Sequence, residues 1–168
     1  MNPSQATWWR QARSDLDVLR LLRRNAVAPC HQLHYLQMAG EKIAKAYFWR
    51  TGAPPAKKHA GLVSFLKALG GTGGSRQALV AATFEFREFK QFQTWIRHVS
   101  PRAYDLEKLA PALAGDGPNP EYPWPHDAPV EYPAGYRFDL WKWLGESGSG
   151  RQFSKVVEIA VDRFPIYA

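Results

Sequence analysis

The stretch HQLHYLQMAGEKIAKA, residues 31–46, decides the fold. Leu33, Leu36, Gly40 and Ile43, continued by Tyr47, follow one another at spacings of three and four, which is the stripe of one helix face. Gly40 is a weak helix former, and its use on an apolar stripe is to let a second helix approach closely. A second line on the same helix is polar: His34, Gln37, Glu41 and Lys45. Glu41 precedes Lys45 in the favourable order for an i,i+4 pair, worth a few tenths of a kcal/mol. A helix with an apolar seam and a mixed polar seam touches two different surfaces. The prediction is the central arm of an all-α, antiparallel up-and-down bundle of four to six helices. Its polar seam is expected to be solvated or to face a partner.

Composition sets the outer bounds. The chain has 168 residues, enough for one domain with a sizeable core. Hydrophobic residues at 45% and charged residues at 22% describe an ordinary globular protein. Seven Trp, seven Tyr and nine Phe are a heavy aromatic load for that core to absorb. The net charge of +7 suits a negatively charged partner, RNA above all, although many basic proteins bind none. Cys30 is the only cysteine, so no disulfide forms within the chain. The N-terminal MNPSQATWWRQARSD is too charged for a signal peptide, and no apolar run approaches the ~18 residues of a membrane span. A soluble cytoplasmic protein is the expectation.

Working outward, residues 4–27 read as a helix that buries Trp9, Ala12, Leu16 and Leu19. Arg10, Arg13, Asp17, Arg20 and Arg24 make a second, basic line on it. Such a line is a solvated face or a surface for phosphates or an acidic partner. Pro29 breaks the chain and suits the first turn of the next helix, which runs to residue 50 and packs antiparallel on the first. TGAPPAKK is a loop, and residues 59–69 are a short helix with Leu62, Phe65, Leu66 and Leu69 inward. GGTGGS is a flexible turn whose Ser75 serves as N-cap for a helix over residues 76–99. That helix carries Leu79, Ala82, Phe86, Phe89 and Ile96 inward, and Arg87, Lys90, Thr94 and Arg97 on a basic line. Pro101 ends it or starts the next, a short helix over 104–113 interrupted by Pro111.

From residue 115 to 135 the chain reads GDGPNPEYPWPHDAPVEYPAG, and six prolines exclude regular helix or an interior strand. Tyr122, Trp124 and Tyr132 are residues that disordered linkers rarely carry. The stretch is expected to be an ordered arm pinned over the bundle by its rings, with a proline-rich peptide ligand as the competing reading. A short hairpin near 129–138 is the most strand structure expected. Residues 138–144 are a short amphipathic helix and GESGSG a flexible break. Residues 151–164 are a last helix with Phe153, Val156, Val157, Ala160 and Phe164 inward. The whole is read as one domain, 1–168, with its core in 4–113 and 138–164 and an inserted arm at 115–136.

The catalytic repertoire is narrow. GGTGG lacks the Lys-Ser/Thr of a phosphate loop, and there is no GxSxG. Cys30, His31 and His34 lie together, but a structural zinc site takes about four ligands and nothing supplies the rest, so no metal and no cofactor is predicted. Cys30 itself reads as packing. Arg24 and His31, with Asn25 beside the arginine, offer a metal-independent route to RNA cleavage. The histidine would move protons near neutral pH, and the arginine would hold the scissile phosphate. The plainer reading is a C-terminal arginine on one helix and a histidine at the start of the next.

The segment Q-x-x-x-E-K-x-x-K-A, with Gln37, Glu41, Lys42, Lys45 and Ala46, resembles the HEPN family of small helical domains. Downstream, K-K-H-A-G-L-V with His59 is similar to that family's Thr-His-Asp-Leu stretch, although Ala60 and Gly61 stand where its Asp is usual. The first helix, with Trp9 to Leu16 in approximate register, also fits. The resemblance covers about residues 7–70. It implies a helical bundle that commonly dimerises. Members include metal-independent RNases, toxins of toxin–antitoxin and phage-defence systems, partners of small nucleotidyltransferases and non-catalytic binding modules. Nuclease members carry an Arg, often followed by Asn, Asp or His, then a His after four to six intervening residues, a spacing that Arg24–Asn25–His31 satisfies. They place it after the Glu-Lys helix, whereas here it comes before, and the later Arg97 and His98 are adjacent. The expectation is therefore a homodimer without intact catalysis that binds RNA or an acidic protein, such as a nucleotidyltransferase or antitoxin, through Arg10, Arg13, Arg20, Arg87, Lys90 and Arg97. The alternative is an endoribonuclease using Arg24, Asn25 and His31 across a dimer cleft.

Overall fold

The computed structural model describes residues 1–52, 54 and 61–168. The predicted helix start at His59, most of the predicted loop before it, and the Lys57–Lys58–His59–Ala60 part of the family resemblance lie outside them. Among the described residues the secondary structure is all-helical, with no strand beyond one isolated bridge, and no helix is long and apolar enough to cross a membrane.

The first helix, α1 (Pro3–Arg24), opens with a capping box: Asn2 Oδ1 accepts from the Gln5 N–H at 2.9 Å, and Gln5 Oε1 accepts from the Asn2 N–H at 3.1 Å. It closes at Asn25, and the chain turns on Ala26 with φ of 49°. Pro29 then occupies the first turn of α2 (Pro29–Phe48), which a short 3-10 turn, Trp49–Thr51, extends. Asn2 Nδ2 donates to the Trp49 carbonyl at 2.8 Å, so the start of α1 lies at the end of α2 and the hairpin is antiparallel as predicted.

The apolar seam is buried throughout: Leu33, Leu36, Ile43 and Tyr47 are at most 4% exposed, each such side chain contributing about 2 kcal/mol. Across it lies α3 (Leu62–Gly70), with Leu62, Phe65, Leu66 and Leu69 inward. A methyl added at Gly40 would stand 3.2 Å from Leu62 Cδ2, the close approach that the glycine foretold. Beyond these, α2 also packs on α5 (Phe89–Lys108) and α8 (Gly148–Asp162), so it runs through the middle of the protein.

The helix predicted over 76–99 is two helices. α4 (Arg76–Thr83) ends where the Phe86 N–H bonds the Ala81 carbonyl and the Glu85 N–H bonds that of Ala82, with Glu85 at φ 62°. That is a Schellman closure without a glycine. Lys155 at 2.5 Å and Arg163 at 2.8 Å hold the Glu85 carboxylate there. The turn lets Phe84 stack on Phe92 at 5.2 Å and Phe86 pack on Phe92 and Trp95. Leu79, expected inside, is 41% exposed, and Val80 and Ala81 are buried instead. Ser75 stands at the N-cap but its side chain makes no capping bond.

Pro101 does not stop α5. It is exposed, so the Arg97 carbonyl it leaves without an N–H is on the solvent side. Meanwhile Phe92, Ile96, Val99, Ala103 and Leu106 stay buried along one stripe. The separate helix predicted from 104 is thus the end of α5, and Pro111 opens the short α6 (Pro111–Ala114).

The arm over 115–136 is pinned by Trp124 alone of its three predicted rings. Trp124 is 6% exposed and packs edge-on to Tyr136 at 5.1 Å, while Tyr122 and Tyr132 are 59% and 61% exposed. The expected hairpin reduces to the antiparallel Trp124–Glu131 bridge and a 3-10 turn at Pro133–Gly135.

GESGSG is not a loose break. It is the junction between α7 (Asp139–Glu146) and α8. Ser147 Oγ accepts from the Gly150 N–H at 2.8 Å and donates to the Trp143 carbonyl at 2.9 Å. The chain closes on α9 (Phe164–Tyr167), whose fully buried Tyr167 donates to the Ala160 carbonyl at 2.7 Å.

Gly40 and Gly150, both at helix contacts, differ in what faces them. A methyl at Gly150 would meet the Trp143 carbonyl oxygen at 2.1 Å, a backbone atom that cannot swing away, whereas at Gly40 it meets only the end of a leucine. Gly150→Ala should therefore lower stability by about 3 kcal/mol or more, and Gly40→Ala should stay within about 1 kcal/mol of the parent because the gain in helix propensity offsets the tighter fit. Urea unfolding of the two variants checks this, and equal midpoints would refute it.

Candidate functional site

Residues of α1 opposite its buried stripe form a shallow depression lined by Arg10, Arg13, Ser14, Asp17, Val18, Leu21 and Arg24. The inward face of this helix is Ala12, Leu16 and Leu19, all 0% exposed. At about 100° per residue Leu21 falls on the far side from these three and stands 52% exposed among the arginines. Arg13 lies over the Trp9 ring at 5.3 Å, which fixes its guanidinium beside the depression. Among the described residues Arg10, Arg13 and Arg24 have no ion-pair partner.

Arg20 belongs elsewhere. Its two terminal nitrogens donate to the two Asp162 oxygens at 3.3 and 2.6 Å, and Glu158 lies 3.6 Å away. The hydrogen bonds to Asp162, reinforced by the nearby carboxylates, outweigh its partial burial and raise its pKa above the ordinary value. Its neighbour Arg23 holds Glu158 at 2.5 Å, so two arginines on this side bind α1 to α8.

The second predicted basic line is divided by the break after α4. Arg87 lies in the link, while Lys90 and Arg97 are exposed on α5, where Arg97 donates to Thr94 Oγ1 at 3.0 Å. α1 packs on α2 and α8, and α5 packs on α3, α4 and α2. The two basic faces therefore belong to helices with α2 between them.

Arg24, Asn25 and His31 are all exposed, at the two ends of the turn between α1 and α2. The Asn25 side chain donates to the Leu21 carbonyl at 2.8 Å and so ends the helix. No hydrogen bond or ion pair joins the three among the described residues. The sulfur of Cys30 is buried and its pKa is raised by desolvation, whereas His31 is exposed and His34 turns toward the arm. Among the described residues no group of three His, Cys, Asp or Glu is placed to hold a metal.

The polar seam of α2, expected to be solvated or partner-facing, is largely covered by the protein itself. Gln37 and Glu41 are 4% and 7% exposed. Gln37 donates to Glu41 at 3.2 Å, Lys45 holds Glu41 at 2.5 Å, and the Lys45 ammonium lies 4.8 Å from the Trp8 ring centre. Lys42 reaches back to Asp15 of α1 at 2.6 Å in a nearly buried ion pair. At the other end His34 Nδ1 lies 3.3 Å from Glu121 of the arm, without the alignment of a hydrogen bond. Glu107 of α5, 3% exposed, accepts from the Val63 N–H at 2.9 Å in the first turn of α3. None of Asp15, Glu107 or Glu121 is marked by the sequence pattern. The one legible signal is that an Asp sits on the buried side of α1.

Comparison with protein families, characterised proteins and solved structures finds no match to this chain.

Burial pushes the Glu107 carboxyl above its usual range, with Glu41 nearby adding to the effect and the Val63 and Leu62 N–H groups opposing it. The folded protein thus holds this proton more tightly than the unfolded chain. The stability it confers is complete below about pH 4.5 and is lost as pH rises through the raised value. Glu107→Gln keeps an acceptor for Val63 but does not titrate. Urea midpoints followed upward from about pH 4 should fall in the parent and fall less in the variant. Parallel profiles would show that Glu107 ionises alike in both states.

Proposed function

We propose that the chain is an HEPN-like helical module that docks an acidic protein through the outer face of α1. The observation that carries this reading is Leu21, 52% exposed and framed by Arg10, Arg13 and Arg24. An apolar centre with an arginine rim is the make-up of a protein interface. Two further points favour a protein over RNA. Asp17 interrupts the basic line at mid-helix, and α2 stands between α1 and the basic residues of α5, which breaks up any continuous track for a polyanion.

The same face is a poor one for self-association. An isologous contact would bring three arginines of each copy together with only Asp17 to offset them. A homodimer of the kind the family resemblance implies would use another surface. That leaves α1 for the second component of a two-protein system, a nucleotidyltransferase or an antitoxin, on this reading.

Co-expression with the products of the flanking genes tests it. A partner should be retained by the parent and by the exposed control Leu79→Glu, and lost with Leu21→Glu. A single-stranded RNA of about 20 nucleotides should bind weakly, with little salt dependence. Tight RNA binding that weakens steeply with salt, and is lost when Arg10, Arg13 and Arg24 are all changed to Gln, would put RNA in the partner's place.

A second reading, the metal-independent ribonuclease, is favoured by Arg24 and His31 both being exposed, and without ion-pair partners among the described residues, at the ends of one turn. In that reaction His31 acts as acid or base and Arg24 stabilises charge on the phosphate, the pair being completed across a two-fold axis. Arg24→Ala and His31→Ala should then each abolish RNA cleavage without loss of helicity. Cleavage at the parental rate in both variants removes this reading.

A further inference from the structure

The α1–α2 turn and the α7–α8 junction flank an open cavity of about 680 Å³ on a different part of the surface from the α1 depression. Its apolar wall is Val27, Pro29, Trp141 and Leu144. Gln32 lies beneath, 5% exposed, with its amide nitrogen donating to the Val27 carbonyl at 2.7 Å, so the floor is closed by a held side chain. Trp141 is half-buried, with part of its ring left open.

The charges around the wall are not equivalent. Arg23 is held by Glu158 at 2.5 Å and Lys155 by Glu85 at 2.5 Å, so each already faces a carboxylate. Arg151 does not. Its Nη1 donates to the carbonyls of Gly145 and Glu146, at 3.0 and 3.1 Å, at the end of α7. Its Nη2 and Nε make no hydrogen bond, and no carboxylate pairs with it among the described residues. Two carbonyls thus fix the guanidinium while leaving donors of its fork unused beside an apolar wall.

We propose that this cavity binds an aromatic carboxylate: a flat ring lies against Trp141 between Leu144 and the Val27–Pro29 edge, and the carboxylate takes the unused donors of Arg151. The volume is that of ordinary small-molecule sites, and of the charged residues that line it, Arg23, Lys155 and Glu158 are already engaged with charges of opposite sign while Arg151 is not. A ring alone would gain burial but no orientation, and an anion alone would find better hydration in water.

Gly145 supplies a clean test. It lines the cavity, and a methyl built on it meets nothing within 4 Å, so bulk can be added there without a clash at the Cβ. The probe is naphthalene-2-carboxylate, titrated by calorimetry at neutral pH into the full chain, with naphthalene-2-carboxamide as its uncharged isostere. The acid should bind with a Kd below about 1 mM. The amide should bind about tenfold more weakly, as should the acid to Arg151→Gln. Gly145→Leu, with its helicity and melting checked, should lose binding. Should Gly145→Leu fail to fold, Arg151→Gln and the amide decide the matter. No binding at about 5 mM acid, equal affinity for acid and amide, or undiminished binding by folded Gly145→Leu would each overturn the proposal.

Discussion

Burying α2 on nearly every side obliges its polar groups to find partners inside the protein. Twelve of its twenty residues are buried, among them Gln32, Gln37 and Glu41. A polar group removed from water and left alone costs about 1–3 kcal/mol, and a buried charge left without its partner about 3–5 kcal/mol. The neighbouring elements are placed to meet that demand. α1 brings Asp15 to Lys42, and its Trp8 faces Lys45. The arm brings Glu121 to His34, whereas Glu107 of α5 serves the first turn of α3 and stands as a like charge near Glu41. The apolar seam draws these elements inward, and the polar seam fixes where along α2 each of them sits.

The apolar seam was legible because its spacing is a property of one helix. Leu33, Leu36, Gly40, Ile43 and Tyr47 declare a face whatever lies opposite, and Gly40 even announces that something lies close. The polar seam carries no such declaration. His34, Gln37, Glu41 and Lys45 look the same on a wet face as on one covered by Trp8 of α1 and by Glu121 of the arm, the latter about ninety places along the chain from His34. The breaks were illegible for a related reason. The apolar spacing runs unbroken through Phe84–Phe92, yet stacking Phe84 on Phe92 is achieved only by a turn at Glu85, held by Lys155 and Arg163 from the other end of the chain. Pro101 misleads in the opposite sense: a proline on the wet side of a helix with an intact buried stripe is tolerated. GESGSG reads as slack by composition, but Gly150 is there because Trp143 leaves no room for a Cβ.

The candidate site divides along the same line. The basic row on α1 was read as a row, while Leu21, the apolar residue beside it, was missed although the helical angle alone places it opposite the buried stripe. What no local pattern tells is which arginines remain available. Arg20 and Arg24 are four residues apart on one face, yet Asp162 engages the first and nothing among the described residues pairs with the second. The cavity at the α1–α2 turn is less legible still. Its wall joins Val27 and Pro29 to Trp141, Leu144 and Arg151, and only the packing of α7 and α8 beside the turn brings them together.

The net charge of +7 is therefore a poor guide to where an anion would meet this protein. Acidic residues are not spread evenly against the cations: Asp15, Glu158 and Asp162 hold helices together and so neutralise Lys42, Arg23 and Arg20, and Glu41 pairs with Lys45 within α2. What is left for a partner is set by which cations those contacts omit. Among the described residues three groups of them stand out: Arg10, Arg13 and Arg24 around Leu21, the exposed Lys90 and Arg97 of α5 with Arg87 just before it, and Arg151 beside Trp141. These groups differ in what surrounds each charge: an exposed leucine, a bare helix face and an indole-walled cavity. A cation beside an apolar group selects an anion that also carries apolar surface, because only such a ligand gains from both. Two of the three groups meet that condition. The chemistry of recognition thus resides in the pairing of charge with exposed carbon, which the excess of arginine and lysine by itself does not specify.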